Sequence, residues 1–298
     1  MEQLILLALF LVSGYLAARA GLAKSQDYKV LANIVFYICL PASILASFSG
    51  VTIPQALYLL VAVLLASFLI SMALSFLISY AFRLERRVFY CLLICGFFGN
   101  IVYFGFPFTQ MILGEGALPL TGIYVSIYNL FVFALLLPAI YILLGTDGKK
   151  AAIGKAFYNP VIIFTIAGAL SLAFQINLSA LMPFLEGFSS LTTPLSLVAM
   201  GLFLSDKFSI SLDRNLLSIA AAKCLIFPLI TWALLAYAGL LSSGKEILLL
   251  SLMPVAISNF VIIDSLGLKL EKLVMDSIVL TSVISTIIVF ALSAAGVF

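Results

Sequence analysis

Two short stretches of the sequence place amides beside glycine and proline inside long apolar runs. They read GNIVYFGFPF, at 99–108, and LLLSLMPVAISNFVIIDSLG, at 248–267. The residues concerned are Gly99, Asn100 and Pro107 in the first stretch, and Pro254 and Asn259 in the second. Proline removes a backbone donor and clashes with the preceding helical turn, so both stretches predict broken helices. Free N–H groups at such breaks, together with the amides, suit an anionic ligand.

Two hydroxyl groups, those of Tyr103 and Ser258, extend this predicted binding set. A purely structural interpretation is also open. In that interpretation the prolines only kink packed helices, and the amides of Asn100 and Asn259 bond to neighbouring backbone. Further polar residues of the apolar runs are weaker candidates, and such side chains in membrane helices commonly bond to other helices. They are Asn33, Gln110 and Asn129.

Ionisable residues inside apolar runs are the next candidates. Lys223 is predicted to lie about 13 Å deep, where an intramembrane lysine indicates an anion contact or an internal cation that changes partners. Snorkelling to the membrane surface is the alternative. Asp264 could carry a coupling proton or bind Na⁺, or else it only ends a helix. Asp276 follows Lys272 by four residues, which predicts an ion pair between them.

The chain contains no histidine and four cysteines, all within apolar runs. Cys91 and Cys95 share a helix face, but no carboxylate neighbours them, so packing is the simpler interpretation. We therefore predict no metal centre, no catalytic residues and no cofactor beyond a coupling H⁺ or Na⁺. The N-terminus has Glu2 and no basic residue before its apolar run, so it is interpreted as a retained helix rather than a signal peptide. Nothing indicates nucleic-acid binding.

The elements that position these residues are membrane helices. Hydrophobic residues make up 64% of the 298 residues and charged residues only 9%, against about 25% charged in soluble domains. Ten apolar segments are long enough to span a bilayer. They lie at roughly 3–19, 30–48, 55–82, 88–112, 118–144, 158–175, 180–204, 215–240, 246–265 and 273–296.

Basic residues concentrate in alternate loops between these predicted spans. The other loops carry only Lys245. The positive-inside rule then places five basic loops in the cytoplasm and both termini outside the cytoplasmic membrane. The basic-loop residues are Arg19, Lys24, Lys29, Arg83, Arg86, Arg87, Lys149, Lys150, Lys155, Lys207, Arg214, Lys269 and Lys272.

The polar loop 145–157 divides the chain into two sets of five spans, 1–144 and 158–298. Because five is odd, the second set is inserted upside down, which predicts an inverted repeat. LPASILASFS in span two and TPLSLVAMGLFLS in span seven share a proline followed two residues later by serine. Asn100 and Asn259 both fall roughly 15–20 Å from the cytoplasmic charges, in partnered spans four and nine.

The stretch GNIVYFGFP resembles the "GNtgfiGlP" stretch of the auxin efflux carrier family, the PIN-like transporters. Further similar stretches occur in the family's order, so the resemblance covers essentially the whole chain. They are LPASILASF, NPVIIFTIAGAL, PLSLVAMGLFL, KCLIFPLI and MPVAISNFVIIDSLG.

The resemblance implies a ten-helix fold of two inverted repeats, similar to the bile acid symporters and sodium–proton antiporters. Spans four and nine would cross as broken helices. The first two helices of each repeat would form a scaffold, the site of homodimer contact, and the last three a transport domain moving as an elevator. Implied substrates are small organic anions such as auxins or dicarboxylates. The chain departs from the family in lacking a long central loop and an ionisable residue in span three, and Asp264 stands where many relatives approach a Lys–Glu pair.

These observations favour a secondary transporter of small organic anions. Na⁺-coupled symport within the same fold is an alternative, to which Asp264, Asn259, Ser258 and Thr109 would supply only part of a cation site. A non-transporting membrane sensor is a second alternative, although no soluble output domain is evident. An intramembrane enzyme is disfavoured, because the chain has no histidine and no facing pair of intramembrane aspartates.

Overall fold

The computed structural model describes residues 2–49, 54–145, 154, 158–205 and 210–298. The secondary structure of this part of the chain is helical. In chain order the helices are α1 Glu2–Arg19, α2 Ser25–Ser47, α3 Leu57–Ala81, α4 Arg86–Cys95, α5 Ile101–Ile112, α6 Glu115–Leu144, α7 Pro160–Ala173, α8 Met182–Leu204, α9 Arg214–Tyr237, α10 Lys245–Ser251, α11 Ser258–Ser265 and α12 Glu271–Ala294.

Within the described residues, six helices are long and apolar enough to cross a membrane: α2, α3, α6, α8, α9 and α12. The apolar segments Ala8–Arg19, Ile101–Ile112 and Pro160–Ala173 are shorter. Two predicted spans, the fourth and the ninth, each correspond to two short helices, α4 with α5 and α10 with α11. The prediction of a multi-pass helical membrane protein is confirmed, whereas the count of ten spans stays a prediction.

Four prolines lie just after a widened, π-helical turn within an otherwise α-helical segment. In each case the π turn ends two residues before the proline, as Val35–Cys39 does before Pro41. A π turn changes the backbone hydrogen-bonding register, which accommodates a residue that has no N–H and a ring directed at the preceding turn. The other prolines are Pro107, Pro138 and Pro228.

The chain folds as two compact units. Unit 1 comprises the described residues within Met1–Ile53, Val102–Leu135 and Lys150–Lys207. In it α8 packs along α1 and α2, and α7 packs on α2 and α6. Gly14 allows the backbones of α1 and α8 to come close together, because a Cβ at this position would lie 2.1 Å from the carbonyl oxygen of Val198.

Unit 2 comprises the described residues within Pro54–Ile101, Leu136–Lys149 and Phe208–Phe298. Here α9 packs on α3, α10 and α12, while α11 packs on α12. The rings of Phe68 and Phe227 stack at 5.4 Å between their centroids, which joins α3 to α9. This unit contains the short helices of both interrupted spans, apart from α5 beyond Ile101.

Several sequence predictions fall outside the described residues. Apart from Gly145 and Gly154, the predicted connecting loop 145–157 is among them. So are four of the basic residues used to predict the orientation, Lys149, Lys150, Lys155 and Lys207.

Candidate functional site

The two interrupted spans meet at their breaks, which we call the paired breaks, 96–100 and 252–257. Gly99 and Val255 form an antiparallel bridge. The Asn100 N–H donates to the Pro254 carbonyl at 2.6 Å, and the Ala256 N–H donates to the Phe98 carbonyl at 3.1 Å. Extended backbone in an apolar surrounding must find partners within the protein. The two breaks supply them to each other.

Side chains from two helices complete this backbone pairing. The Asn259 Nδ2, on α11, donates to the Phe98 carbonyl at 2.9 Å, and the Thr281 Oγ1, on α12, accepts from the Val255 N–H at 3.0 Å. Both side chains are fully buried. Thr281 was missed by the sequence analysis, since it is one of several hydroxyl residues on its helix and the sequence gives no signal of its partner.

The Asn259 side chain also has one acceptor that is not hydrogen-bonded. Its Oδ1 is buried and makes no hydrogen bond to any described residue. An unmet acceptor in a buried position costs free energy. The oxygen is therefore available to a ligand, a water molecule or an ion.

Lys223 is fully buried and reaches the paired breaks from α9. Its Nζ donates to the Ser251 carbonyl at 3.0 Å, at the C-terminal end of α10. The same nitrogen lies 4.7 Å from the centroid of the Phe227 ring, a cation–π contact. Snorkelling does not describe this side chain, because it ends inside the protein.

The contact between Lys223 and Gly99 explains why position 99 is occupied by glycine. A Cβ built on Gly99 would lie 3.0 Å from the Cε and the Nζ of Lys223, and 3.2 Å from the Met253 carbonyl oxygen. Any larger residue at position 99 must therefore displace the lysine or the opposite break. The sequence marked both residues as candidates but gave no reason to place them together.

No acidic side chain of the described chain forms an ion pair with Lys223. The ion pairs there join Lys272 to Asp276 at 3.2 Å and Arg87 to Glu85 at 3.9 Å. The predicted pairing of Lys272 with Asp276 is thus confirmed. Burial of an uncompensated charge is costly, so a bound anion would stabilise the ammonium form of Lys223.

The remaining predicted site residues lie outside the paired breaks 96–100 and 252–257. Tyr103 and Pro107 belong to unit 1, where the ring of Tyr103 lies 6.3 Å from that of Phe36. Ser258 and Asp264 are exposed on the surface of unit 2, at the start and near the end of α11. The predicted residues that meet are Gly99, Asn100, Lys223, Pro254 and Asn259.

One expectation about the breaks is corrected. Pro254 lies within a break, as predicted, but Pro107 does not. It follows a π turn as the second residue of Phe106–Ile112, and the chain leaves the helical conformation earlier, at 96–100. Inside α5 the π turn Ile101–Gly105 changes the hydrogen-bonding register and so accommodates the missing N–H of Pro107.

Two of the weaker candidates, Gln110 and Asn129, have structural partners. In unit 1 the Thr193 Oγ1 donates to the Gln110 Oε1 at 2.7 Å. The Asn129 Nδ2 donates to the Val125 carbonyl of its own helix at 2.9 Å. Within the described residues no group of three His, Cys, Asp or Glu side chains is placed to hold a metal ion.

Together, the apolar helices and the polar cluster enclosed among them define a multi-pass membrane protein. Residues 1–293 match the model of the membrane transport protein family, and the chain belongs to that family. It is 24% identical over 299 residues to the "uncharacterized transporter MJ1031" of Methanocaldococcus jannaschii. That alignment covers 97% of this chain and 96% of the relative. The resemblance predicted from the motifs is confirmed at the level of the family.

Proposed function

We propose that this protein is a secondary transporter of small organic anions, and that the anion binds at the paired breaks. The observation that carries the proposal is the buried Lys223 amine beside Gly99, without a carboxylate partner in the described chain. A substrate carboxylate would supply the missing negative charge. The second N–H of the Asn259 Nδ2, whose first donates to the Phe98 carbonyl, would orient it.

We further propose that ten spans form two inverted repeats, 1–144 and 158–298. Reciprocal contacts within unit 1 support this: Gly14 of span one packs on Val198 of span seven, and Gly168 of span six packs on Phe48 at the end of span two. Spans one, two, six and seven all fall in unit 1, the expected scaffold. In an elevator mechanism unit 2, which carries the paired breaks, would move.

The proposed location is the cytoplasmic membrane, with both termini outside and lipid around the apolar helices. A homodimer through the scaffold is part of the proposal. No cofactor is needed beyond a coupling H⁺ or Na⁺.

Na⁺-coupled symport is the second candidate, and the buried, unbonded Asn259 Oδ1 favours it. The nearby lysine opposes it, because a cation and an ammonium group repel each other.

The test is flux into liposomes that contain the purified protein. Radiolabelled malonate, malate, succinate and indole-3-acetate are offered with Na⁺ and pH gradients imposed separately. We expect saturable flux that falls at least about tenfold in Lys223→Gln, since about 1.4 kcal/mol of lost binding corresponds to a factor of ten. Lys245→Gln is the matched control, because it removes a lysine charge at the start of α10.

Three other results would contradict parts of the proposal. Undiminished flux in folded Lys223→Gln would remove the lysine from the binding site. Flux that depends on a Na⁺ gradient alone would select the symport alternative. Binding without flux under any gradient would point to the sensor and exclude the elevator mechanism.

A further inference from the structure

A cavity of about 590 Å³ opens on unit 2, away from the paired breaks. It lies where α3 ends and α4 begins, around the turn that joins them. Its lining combines aromatic side chains with two arginines. The lining residues are Phe76, Ser79, Tyr80, Ala81, Arg83, Leu84, Arg86 and Phe89. The volume falls within the range of small-molecule sites.

The charged part of the lining is positive only. Arg83 stands in the turn at φ +48° and is exposed, and its guanidinium makes no hydrogen bond or ion pair with any described residue. Arg86 is held in place, since its Nη2 donates to the Leu143 carbonyl at 2.9 Å and to the Tyr90 hydroxyl at 3.3 Å. The adjacent carboxylate, Glu85, pairs with Arg87 instead. The cavity therefore has guanidinium groups available to an anion.

The other wall is apolar and faces outward. Phe76 is 62% exposed and Tyr80 is 82% exposed, and they stand four residues apart on one face of α3. The ring of Phe76 meets that of Phe89 edge to face at 5.6 Å, which fixes the wall between the two helices. In a membrane helix, such rings contact acyl chains. A ligand of this cavity is thus anionic at one end and apolar at the other.

We propose that this cavity binds the headgroup of an anionic phospholipid, with its acyl chains along Phe76 and Tyr80. The predicted orientation places the cavity in the cytoplasmic leaflet, where anionic lipids meet basic pockets between membrane helices. Arg83 and Arg86 donate to the phosphate, for which guanidinium geometry is well suited. The proposal does not depend on what the protein transports.

The experiment compares thermal unfolding of the purified protein in phosphatidylcholine nanodiscs with and without phosphatidylglycerol. Retained lipid is counted by native mass spectrometry. We expect phosphatidylglycerol to raise the Tm of the wild type by about 2–4 °C. Arg83→Gln should halve the rise, and the double variant Arg83→Gln with Arg86→Gln should abolish it together with the retained lipid.

Controls separate this site from general charge effects. Arg87→Gln removes an equal charge from a neighbouring residue that does not line the cavity, and it should keep the full rise. Arg83→Lys should retain part of the rise in Tm that phosphatidylglycerol causes. Soluble glycerol phosphate should not raise the Tm; if it reproduced the whole rise, the site would be one for a free anion. Equal rises in all variants would overturn the proposal.

Discussion

At the residue scale, the arrangement around the paired breaks depends on one missing side chain. Gly99 leaves the space into which Lys223 extends, and the lysine in turn reaches the Ser251 carbonyl. The sequence marks Lys223 because a lysine is rare inside an apolar run, but it does not show that the lysine lies against Gly99. Their contact gives a buried amine a fixed position.

Gly99→Ala is expected to displace the lysine. The new Cβ would lie 3.0 Å from its Nζ, so the lysine side chain must give way by a few tenths of an ångström, at a cost of about 1 kcal/mol. We expect reduced anion flux and a lower Tm, measured in liposomes and by thermal unfolding. Gly116→Ala is the matched control, since nothing lies within 4 Å of its added Cβ. Unchanged flux in Gly99→Ala would separate Lys223 from transport.

Asn259→Ala is expected to weaken the pairing of the two breaks. It removes the donor to the Phe98 carbonyl, and loss of one partner from a buried hydrogen bond costs about 1–3 kcal/mol. Denaturation in detergent, with Asn33→Ala as an exposed control, measures the effect. If Asn259→Ala lowered the free energy of unfolding no more than Asn33→Ala does, the Asn259 amide would not stabilise the pairing of the two breaks.

At the element scale, α12 supports the paired breaks through Thr281, which accepts the Val255 N–H. Helix α12 carries several other hydroxyl residues, and those of Ser277, Ser282 and Thr286 bond to carbonyls of their own helix. One hydroxyl on a regular helix thus holds an irregular segment of another span in place.

Thr281→Val keeps the shape of the side chain and removes the acceptor. We expect a loss of about 1–2 kcal/mol, because the Val255 N–H is left buried without a partner. Thr286→Val serves as the control, since the Thr286 hydroxyl donates only to the Ser282 carbonyl of its own helix. Equal losses in the two variants would contradict a specific role of α12. Hydrogen exchange at Val255 gives a local measurement.

At the scale of the whole molecule, the predicted orientation can be tested by labelling. All four native cysteines are buried, so the background is low. A membrane-impermeant maleimide should label Gly116→Cys in intact cells, because the loop between spans four and five is predicted to be outside. Gln26→Cys, in an exposed turn predicted to be cytoplasmic, should react only after permeabilisation. The reverse pattern would invert the proposed topology.

Sequence reasoning found most of the candidate site, though not its geometry. Asn100, Pro254, Asn259 and Lys223 were marked because polar or helix-breaking residues are conspicuous in apolar runs. Pro107 was marked by the same logic and lies outside the breaks, since a π turn accommodates this proline within α5. A helix-breaking residue in the sequence indicates that a helix is interrupted nearby. The exact position of the break depends on where another backbone segment can pair with it.

The class of the protein could be predicted from its sequence alone. Apolar runs long enough for a bilayer and the order of the family motifs follow from residue types along one chain, and both are local properties. Only the tertiary structure decided which break pairs with which, that Thr281 braces them, and that Lys223 lies against Gly99. Gly99 is more than a hundred positions from both Val255 and Lys223, and Thr281 belongs to a different segment from Val255. Only three-dimensional packing brings such residues into contact.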